Sequence, residues 1–427
     1  MNPIRRSVLL LLVSFFGVST SLASSSASKA TGGTGVHVPV GKDGDGFYSA
    51  STKGCFDVID NATPLILEQI QKQIDSDKND DAAAYHIADF GTADGGTSLG
   101  LLTKMVQAIR SKTKQQNREV VLHYEDQVTN EWQSVFKHSL GLSSVKNAYG
   151  NTIPTPYELG NVYVDATGIG FHNQCYPTAS IDFGISFTAM HWLSEVPNSF
   201  KGKDYMHAAR RPKDDTTSLP KEKEIAADDW YNILKSRSKE LKVGGKFVCV
   251  NFCITEEGYF LGQTDVGASM WDSFQTAWNL LSEKKLIDED ERTGVSFPSY
   301  YRTTDEFVST ITETDLNDEL TILSVEERIT PCPYRELYTK QKSSMSAREY
   351  AESFVPTTRT WSDSTFRNAL RSDRTEDDKD LIINQFWENY ISLVEQNPAE
   401  HGMDYAHTYL VLEKKDTNKS TNDDDEL

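Results

Sequence analysis

Short apolar runs, each bounded by turn residues, recur between residues 85 and 252 of the chain. Five of these runs are rich in apolar and β-branched residues, a composition that predicts β-strands. They span residues 85–90, 119–126, 162–166, 181–190 and 246–252. The pattern therefore predicts a sheet built from segments that are far apart in the sequence.

Apolar residues at helical spacing occupy the stretches between these strands, as in residues 99–109 and 230–241. Strands that alternate with helices predict an α/β fold, in which a Rossmann-like, doubly wound parallel sheet is covered on both faces. Further helical patterns at residues 269–283, 305–311 and 379–396 predict a helical cap added to this sheet.

The N-terminal residues predict a cleaved secretory signal peptide over residues 1–23. Two arginines precede an almost wholly apolar run at 8–18, and small residues at 21–23 suit a signal peptidase. The run is too short to span a bilayer comfortably, so we expect no integral membrane segment after cleavage. Residues 24–46 are rich in Ser, Gly and Ala, which predicts a flexible leader.

The acidic C-terminal tail, residues 416–427, ends in Asp-Asp-Glu-Leu, a close variant of the signal that retains proteins in the endoplasmic reticulum. A solvated acidic tail is the alternative interpretation. Together with the signal peptide, the tail predicts the lumen of the endoplasmic reticulum. A plastid is the competing location, because the Ser/Ala-rich leader is also typical of a transit segment.

Charge and cysteine content exclude several classes of partner. The 427 residues include 63 acids against 43 lysines and arginines, a net charge of −20, so we expect no binding to nucleic acid. No His-rich or Cys-rich spacing predicts a metal site. Five scattered cysteines do not form a disulfide framework. Asn61 and Asn418 begin glycosylation sequons, which are usable only in the secretory lumen.

The stretch IADFGTADGGTSLGLL, residues 87–102, runs from a strand through a glycine turn into a helix. Doubly wound folds present backbone amides to a ligand at such a turn. The glycine spacing, which begins at Gly91, fits neither the dinucleotide fingerprint nor the phosphate loop. Asp89 and Asp94 would repel a pyrophosphate and suit a ligand that carries positive charge.

The next strand ends at Glu125-Asp126, where a carboxylate can accept hydrogen bonds from both hydroxyls of a ribose. A cofactor with a ribose, an amine and a sulfonium, and without phosphate, is S-adenosylmethionine (SAM). An unrelated α/β protein with a tight turn is the alternative, and Asp89 is then a helix N-cap.

The chain resembles the SABATH family of SAM-dependent carboxyl methyltransferases, whose members act on salicylate, benzoate, jasmonate and related small acids. The resemblance covers residues 44–415, and SFTAMHWLSEVP is very similar to the family motif SSxALHWLSxVP. Seven motifs occur in the family's order: GDGFY at 44–48, IADFGTADGGTSL at 87–99, EDQVTNEWQSVF at 125–136, GFHNQCYP at 170–177, SFTAMHWLSEVP at 186–197, LKVGGKFVCVNF at 241–252 and VSFPSYYRTTDEF at 295–307.

The resemblance implies a fold of the class I methyltransferase type and two groups of site residues. It implies that the methyl donor lies against Tyr48, Thr52, Asp89, Gly91, Asp126, Gly170 and Phe171. It also implies that Trp192 points into the acceptor pocket with His191 beside it. An aromatic face suits adenine or a sulfonium, and an indole N–H can donate to a carboxylate. The alternatives are that Trp192 is a core residue and that His191 is a histidine near the surface whose hydrogen bonds are made within the protein.

Cys55 departs from the family pattern. The family has Gln at this position, where it helps to hold the substrate carboxylate together with the Trp. A thiol is a weak donor and does not replace an amide. Thr97, where the family has Asn, is a milder change. Either another group anchors the acid, or the acceptor is not the usual small carboxylate.

The resulting hypothesis is methyl transfer from SAM to the carboxylate of a small organic acid, which forms a methyl ester. A carboxylic acid with a pKa of roughly 4 is ionised at neutral pH and needs no general base. The enzyme then acts by positioning and desolvation. For a hydroxyl or nitrogen acceptor, His191 is the candidate base. A non-catalytic small-molecule binding protein on the same fold is the alternative.

The predicted catalytic domain spans residues 47–415, with its cap mainly from 195–240 and 268–400. Polar residues with two prolines at 210–224 predict a mobile surface insertion. The sequence does not fix the oligomeric state, although the SABATH family often forms homodimers.

Overall fold

A doubly wound sheet forms the centre of the computed structural model. The described residues form eight strands: β1 (Tyr85–Phe90), β2 (Val120–Glu125), β3 (Val162–Thr167), β4 (Ile181–Phe187), β5 (Leu241–Ile254), β6 (Arg302–Thr303), β7 (Leu320–Thr330) and β8 (Tyr405–Lys414). Their order is β3-β2-β1-β4-β5-β8-β7, and β6 pairs with β5 off this path. Strands β1 to β5 are mutually parallel, whereas β8 is antiparallel to both neighbours. The predicted α/β class is therefore confirmed.

The structure describes most of the chain but omits both ends. Described residues are 44, 46–76, 83–112, 116–147, 149–195, 202–215, 219–341 and 344–417. The expected signal peptide (1–23), most of the leader, the Asn418 sequon and nearly all of the acidic tail lie outside these residues. The Asn61 sequon lies inside them, in a helix, and Asn61 Nδ2 donates to Thr330 Oγ1 at 3.1 Å.

Helices flank the sheet and form a separate layer beside it. The described helices are α1 (Phe47–Ser51), α2 (Lys53–Ser76), α3 (Leu99–Ile109), α4 (Trp132–Ser139), α5 (Leu219–Glu240), α6 (Met270–Glu283), α7 (Glu289–Arg292), α8 (Thr304–Thr312), α9 (Leu316–Glu319), α10 (Pro333–Lys340), α11 (Ala347–Ala369) and α12 (Glu376–Gln396). Several begin at signals that are visible in the sequence. Capping boxes of Thr303 with Glu306 and of Ser346 with Glu349 start α8 and α11.

Burial on both faces explains why the central strands were recognisable. All seven residues of β4 are buried, and so are five of the six in β1. Such strands read as continuous apolar runs. Strand β5 is longer than its predicted segment, because it begins at Leu241, a residue that the periodicity had placed on the preceding helix.

The predicted surface insertion at 210–224 is partly wrong. Residues 219–224 form the first turns of α5, and Arg211 makes an ion pair with Glu222. Both side chains of this pair are largely buried, at 7% and 1% exposure. The polar composition that suggested a surface loop therefore includes a pair of charges enclosed by the fold.

The segments expected to form the cap, 195–240 and 268–400, divide between two environments. Helices α5, α8 and α9 pack with the sheet, and 320–330 form β7 within it. Helices α6, α11 and α12 form the second layer. Its interior is aromatic: Phe366 stands 4.1 Å from Phe386, and Phe274 is 5.1 Å from Tyr390, centroid to centroid.

Arg237 ties the loop after β3 to helix α5. It is 1% exposed, and its guanidinium donates to Phe171 O (2.8 Å) and Asn173 O (2.9 Å). The same group pairs with Glu240 at 2.6 Å and lies 4.1 Å from the ring centroid of Phe90. A buried charge needs such partners, so this network fixes the loop against the end of β1.

All five cysteines are free, and four of them, Cys55, Cys249, Cys253 and Cys332, are buried. Among the described residues, no helix combines the length and the apolar composition that a membrane crossing needs. In the same part of the chain, no cluster of His, Cys, Asp and Glu side chains is suited to a metal ion.

Candidate active site

Two adjoining chambers open at the carboxyl ends of β1 and β4, where the strand order of the sheet reverses. The turn-side chamber is bordered by the glycine turn at 91–98, by α1 and α2, and by the end of β4. The cap-side chamber extends from the same place to the aromatic cap layer. Tyr48, Cys55 and Thr188 border both chambers.

Gly91 allows the glycine turn to pass close to β4. Its φ is +74°, and a Cβ on Gly91 would lie 2.3 Å from Ala189 Cβ. The Gly91 N–H donates to the Glu125 carbonyl oxygen at 2.9 Å. A side chain at this position would therefore conflict with both the backbone conformation and the packing.

Asp89 lies at the end of β1 and borders the turn-side chamber. Ser98 Oγ donates to its Oδ2 at 2.7 Å and Thr92 Oγ1 at 3.1 Å. Its hydrogen bonds within the described residues all go to this one oxygen. Burial raises the pKa of Asp89 to about 6, and the nearby Asp126 carboxylate adds to this shift.

Asp126 follows β2 and binds the middle of the turn. Its Oδ2 accepts the Ala93 N–H at 2.8 Å, and its Oδ1 accepts the Gln127 N–H at 2.7 Å. Burial raises the pKa of Asp126 to about 6. Its neighbour Glu125 is fully buried, which raises the pKa of that carboxyl strongly, and its Oε2 accepts the Gly91 N–H at 3.2 Å.

Asp94 has a different role from the one predicted. It was expected to face a cationic ligand, but its Oδ2 accepts the Ser49 N–H at 2.8 Å and its Oδ1 accepts the Gly96 N–H at 3.1 Å. Ser49 Oγ also donates to it. Asp94 thus holds α1 against the turn and thereby places Tyr48.

Hydroxyl groups surround the Cys55 thiol where the two chambers meet. The thiol lies beside the side chains of Tyr48, Thr52, Thr188 and Tyr405. Burial raises the pKa of Cys55 to about 11, so the group is a neutral thiol near pH 7. The Thr52 hydroxyl donates to the Tyr48 carbonyl oxygen at 2.5 Å, whereas the hydroxyls of Tyr48, Thr188 and Tyr405 lie beside a thiol, which is a poor hydrogen-bond acceptor.

Thr188 and Tyr405 reach the junction through unusual local structure. Thr188 directly follows β4 and has φ +53°, a left-handed conformation that is rare for a β-branched residue. Tyr405 begins β8, and its ring crosses α2 at Gly54, where a Cβ would lie 2.2 Å from Tyr405 Cε2. Neither residue was predicted to belong to the site. Thr188 lies within the SFTAMHW motif, and no local pattern marks Tyr405.

His191 and Trp192 border the cap-side chamber, as do Tyr48, Thr52 and Cys55. The His191 ring is 4% exposed and stands 5.0 Å from Trp192 and 4.8 Å from Phe252, centroid to centroid. Aromatic faces therefore enclose the imidazole.

Gly170, Phe171 and Asp126 do not border either chamber. Phe171 packs in the apolar cluster of Phe90 and Ala189, beside the end of β1. Asp126 lies directly against Ala93, which borders the turn-side chamber. Of the seven residues implied to hold the methyl donor, Tyr48, Asp89 and Gly91 thus border the turn-side chamber, and Thr52 borders the cap-side chamber.

The cap wall contributes side chains that the sequence patterns did not single out. Trp271 of α6 and Trp361 of α11 border the cap-side chamber, together with Ser299 and Tyr301 of the loop before β6. Both loop residues lie in the VSFPSYYRTTDEF motif, but nothing in its pattern indicates which side chains face inward.

Two methyltransferases of known sequence and one solved methyltransferase structure are similar to this chain. Loganic acid O-methyltransferase of Catharanthus roseus is 25% identical over 326 residues, 73% of this chain and 81% of that protein. Probable 7-methylxanthine methyltransferase 2 of Theobroma cacao is 25% identical over 269 residues, 60% of this chain and 68% of that one. The solved structure of loganic acid methyltransferase with SAH has a TM-score of 0.69 at 20% identity and covers 89% of this chain and 99% of that one.

That structural likeness confirms the class I methyltransferase fold. Residues 36–415 match the family described as SAM dependent carboxyl methyltransferase, a match over most of the chain. The glycine turn and the acids around it lie within the matched residues. This chain belongs to the family of SAM-dependent carboxyl methyltransferases.

Proposed function

We propose that this enzyme methylates the carboxylate of a small, largely apolar organic acid held in the cap-side chamber, and so forms a methyl ester. The junction at Tyr48, Cys55 and Thr188 carries the proposal, because a donor in one chamber and an acceptor in the other would meet there. The aromatic lining of the cap-side chamber favours an acid with an apolar body.

The turn-side residues fit SAM. Burial raises the pKa of the Asp89 and Asp126 carboxyl groups, and no cation among the described residues offsets that shift. Asp126 would accept hydrogen bonds from the ribose, and Asp89 would face the positively charged part of the cofactor. When bound, SAM supplies an electrophilic methyl group on a sulfonium.

The hydroxyl groups around Cys55 are proposed to anchor the acceptor carboxylate in place of the amide that the resemblance led us to expect. Tyr48, Thr188 and Tyr405 each carry an O–H that can donate to an anion, and the neutral thiol competes poorly for these donors. Trp192 supplies an aromatic wall next to them. Held between these groups, the carboxylate loses water and points an oxygen at the methyl carbon.

No general base is required for this reaction, because the acid is already ionised near pH 7. His191 is enclosed by aromatic rings and is proposed to shape the chamber. The 25% identity to a 7-methylxanthine methyltransferase favours one second candidate, transfer to a ring nitrogen, for which His191 would be the base.

Loss of the Asp126 carboxylate should weaken SAM binding. We expect Asp126→Ala to raise the Kd at least about tenfold, because the ribose loses a charged acceptor and Ala93 N–H loses its partner. Titration calorimetry measures the change. Asp165→Ala is the control, since this β3 residue contacts His123 outside both chambers. Equal affinity of Asp126→Ala and the parent for SAM would refute this role of Asp126.

Acidification should also weaken SAM binding by the parent enzyme. We expect the Kd to rise about tenfold between about pH 7 and pH 5, because the Asp89 and Asp126 carboxyls, with pKa near 6, become protonated.

Tyr405→Phe should impair use of the acid while SAM still binds. We expect kcat/KM for a carboxylic acid to fall about tenfold or more, mainly through KM, because one hydrogen bond to a charged group is lost. Tyr409→Phe is the matched control, since Tyr409 lies on the same strand as Tyr405, its hydroxyl donates to Val58 O of α2, and it borders neither chamber. An unchanged KM in Tyr405→Phe would remove this residue from the anchor.

His191→Ala should retain methyl transfer to carboxylates. A general base contributes about 10²-fold or more, so we expect a loss of less than about tenfold with a benzoate-type acceptor. The rate should also stay flat between about pH 6.5 and 8.5, well above the acceptor's pKa. Initial rates of labelled methyl transfer provide the measurement. A loss of about 10²-fold or greater on carboxylates, without a change in melting temperature, contradicts the base-free mechanism.

Entry into the secretory pathway, with retention in the endoplasmic reticulum, is our proposal for location, supported by the apolar run at 8–18 and the Asp-Asp-Glu-Leu ending. The mature protein should begin near Ser24, which N-terminal sequencing from eukaryotic cells determines. Leu10→Arg breaks the apolar run and should leave Met1 in place. Import into plastids would contradict the proposal.

A homodimer is the assembly that the family resemblance supports. Sedimentation velocity measures it directly, and a monomer at micromolar concentration would argue against the dimer.

A further inference from the structure

The indole N–H of Trp271 is a buried donor without an acceptor among the described residues. Trp271 is 2% exposed and borders the cap-side chamber, and its Nε1 makes no hydrogen bond within the described residues. Other buried tryptophans there have acceptors: Trp278 donates to Glu291 O at 3.3 Å and Trp387 to Asp363 Oδ1 at 2.8 Å. A buried donor without an acceptor costs free energy of folding, so the unmatched Trp271 N–H beside the chamber indicates a ligand that accepts its hydrogen bond.

A second donor follows from proton accounting at His207. The His207 Nδ1 accepts the Ala209 N–H at 3.0 Å, so it carries no proton. Burial lowers the pKa of His207 to about 3, so the ring is neutral and its proton is on Nε2. Nε2 then donates to Ser299 Oγ at 2.8 Å. The Ser299 hydroxyl accepts this bond, and its own proton has no acceptor among the described residues.

The two donors flank the same imidazole. The His207 ring stacks on Trp271 with centroids 4.2 Å apart and an interplanar angle of 10°, while its Nε2 contacts Ser299. Trp271 and Ser299 both border the cap-side chamber, on the wall formed by α6 and the loop before β6. The Cys55 junction is formed by other elements, α1, α2 and the ends of β4 and β8.

We propose that Trp271 Nε1 and Ser299 Oγ form an oxygen-binding subsite for a second polar group of the acceptor. The acceptor is then a hydroxy, keto or ether acid, with its carboxylate at Cys55 and a further oxygen at Trp271. This inference rests on the proposed carboxylate acceptor. The oxygen is uncharged, because no Lys or Arg among the described residues borders the chamber to neutralise a second carboxylate.

Matched pairs of acids that differ by one oxygen test this subsite. Suitable probes are 4-oxocyclohexanecarboxylate against cyclohexanecarboxylate and 4-methoxybenzoate against 4-methylbenzoate. We expect the parent enzyme to favour the oxygenated acid in at least one pair by about tenfold or more in kcat/KM, since a site built for an oxygen rejects an analogue that lacks it. Trp271→Phe should reduce that ratio to about twofold or less, and Ser299→Ala should reduce it in part.

Trp361→Phe is the matched control, because it alters the volume of the same chamber without removing the Trp271 donor. It should keep the parent's preference. Thermal melting of each variant separates loss of folding from loss of recognition. If Trp271→Phe does not fold, the kcat/KM ratio of Ser299→Ala for the same pairs of acids tests the subsite.

Indole resonances in ¹H–¹⁵N spectra give a second readout. The Trp271 signal is assigned as the one that is absent in Trp271→Phe. It should shift when the oxygenated acid binds and should not shift when the matched acid without the oxygen binds. The subsite is refuted if the parent enzyme prefers the oxygenated acid in neither pair, or if Trp271→Phe and Ser299→Ala both keep that preference. Neither result contradicts the proposed carboxylate acceptor. If the enzyme binds SAM normally but methylates none of these acids, both the proposed function and the subsite are refuted.

Discussion

The enclosure of three carboxyl groups at one end of the sheet is the constraint on which the rest of the site depends. Asp89, Glu125 and Asp126 are buried around the glycine turn and hold it through Ser98, Gly91 and Ala93. Among the described residues, a cation, Arg237, acts on the carboxyl of Glu125 but not on those of Asp89 and Asp126. Such a site is poorly compensated when empty and well matched to a positively charged ligand.

This arrangement links protein stability to pH and to the ligand. Folding raises the pKa of Asp89 and Asp126 from 3.8 to about 6, so the folded state binds more protons than the unfolded state between these values. Their contribution to stability is complete below about 3.8 and is lost as the pH rises through about 6. Near neutral pH a cofactor that binds only the folded state stabilises the fold by mass action.

The sequence predicted those parts of the molecule whose signal is local. Strand β1 was predicted to the residue, because both of its faces are buried and its apolar run is unbroken. Helix α2 was not predicted, because Gly54 and Pro64 disfavour a helix. Strand β8 was not predicted either, because the buried polar residues His407 and Thr408 interrupt its apolar pattern. The glycine turn was found from its own residues. Tyr405 was not found, since it meets Cys55 only after the chain has passed through the whole cap.

The position of β8 has a consequence for how the chain assembles during synthesis. Strand β7 is made long before β8, yet β8 lies between β5 and β7 in the sheet. Until the ribosome has released β8, β7 has no partner and β5 has an open edge. The first five strands and the glycine turn can assemble earlier, whereas the junction around Cys55 waits for Tyr405. Nascent chains should therefore acquire the cofactor-binding half of the enzyme before they can hold a substrate.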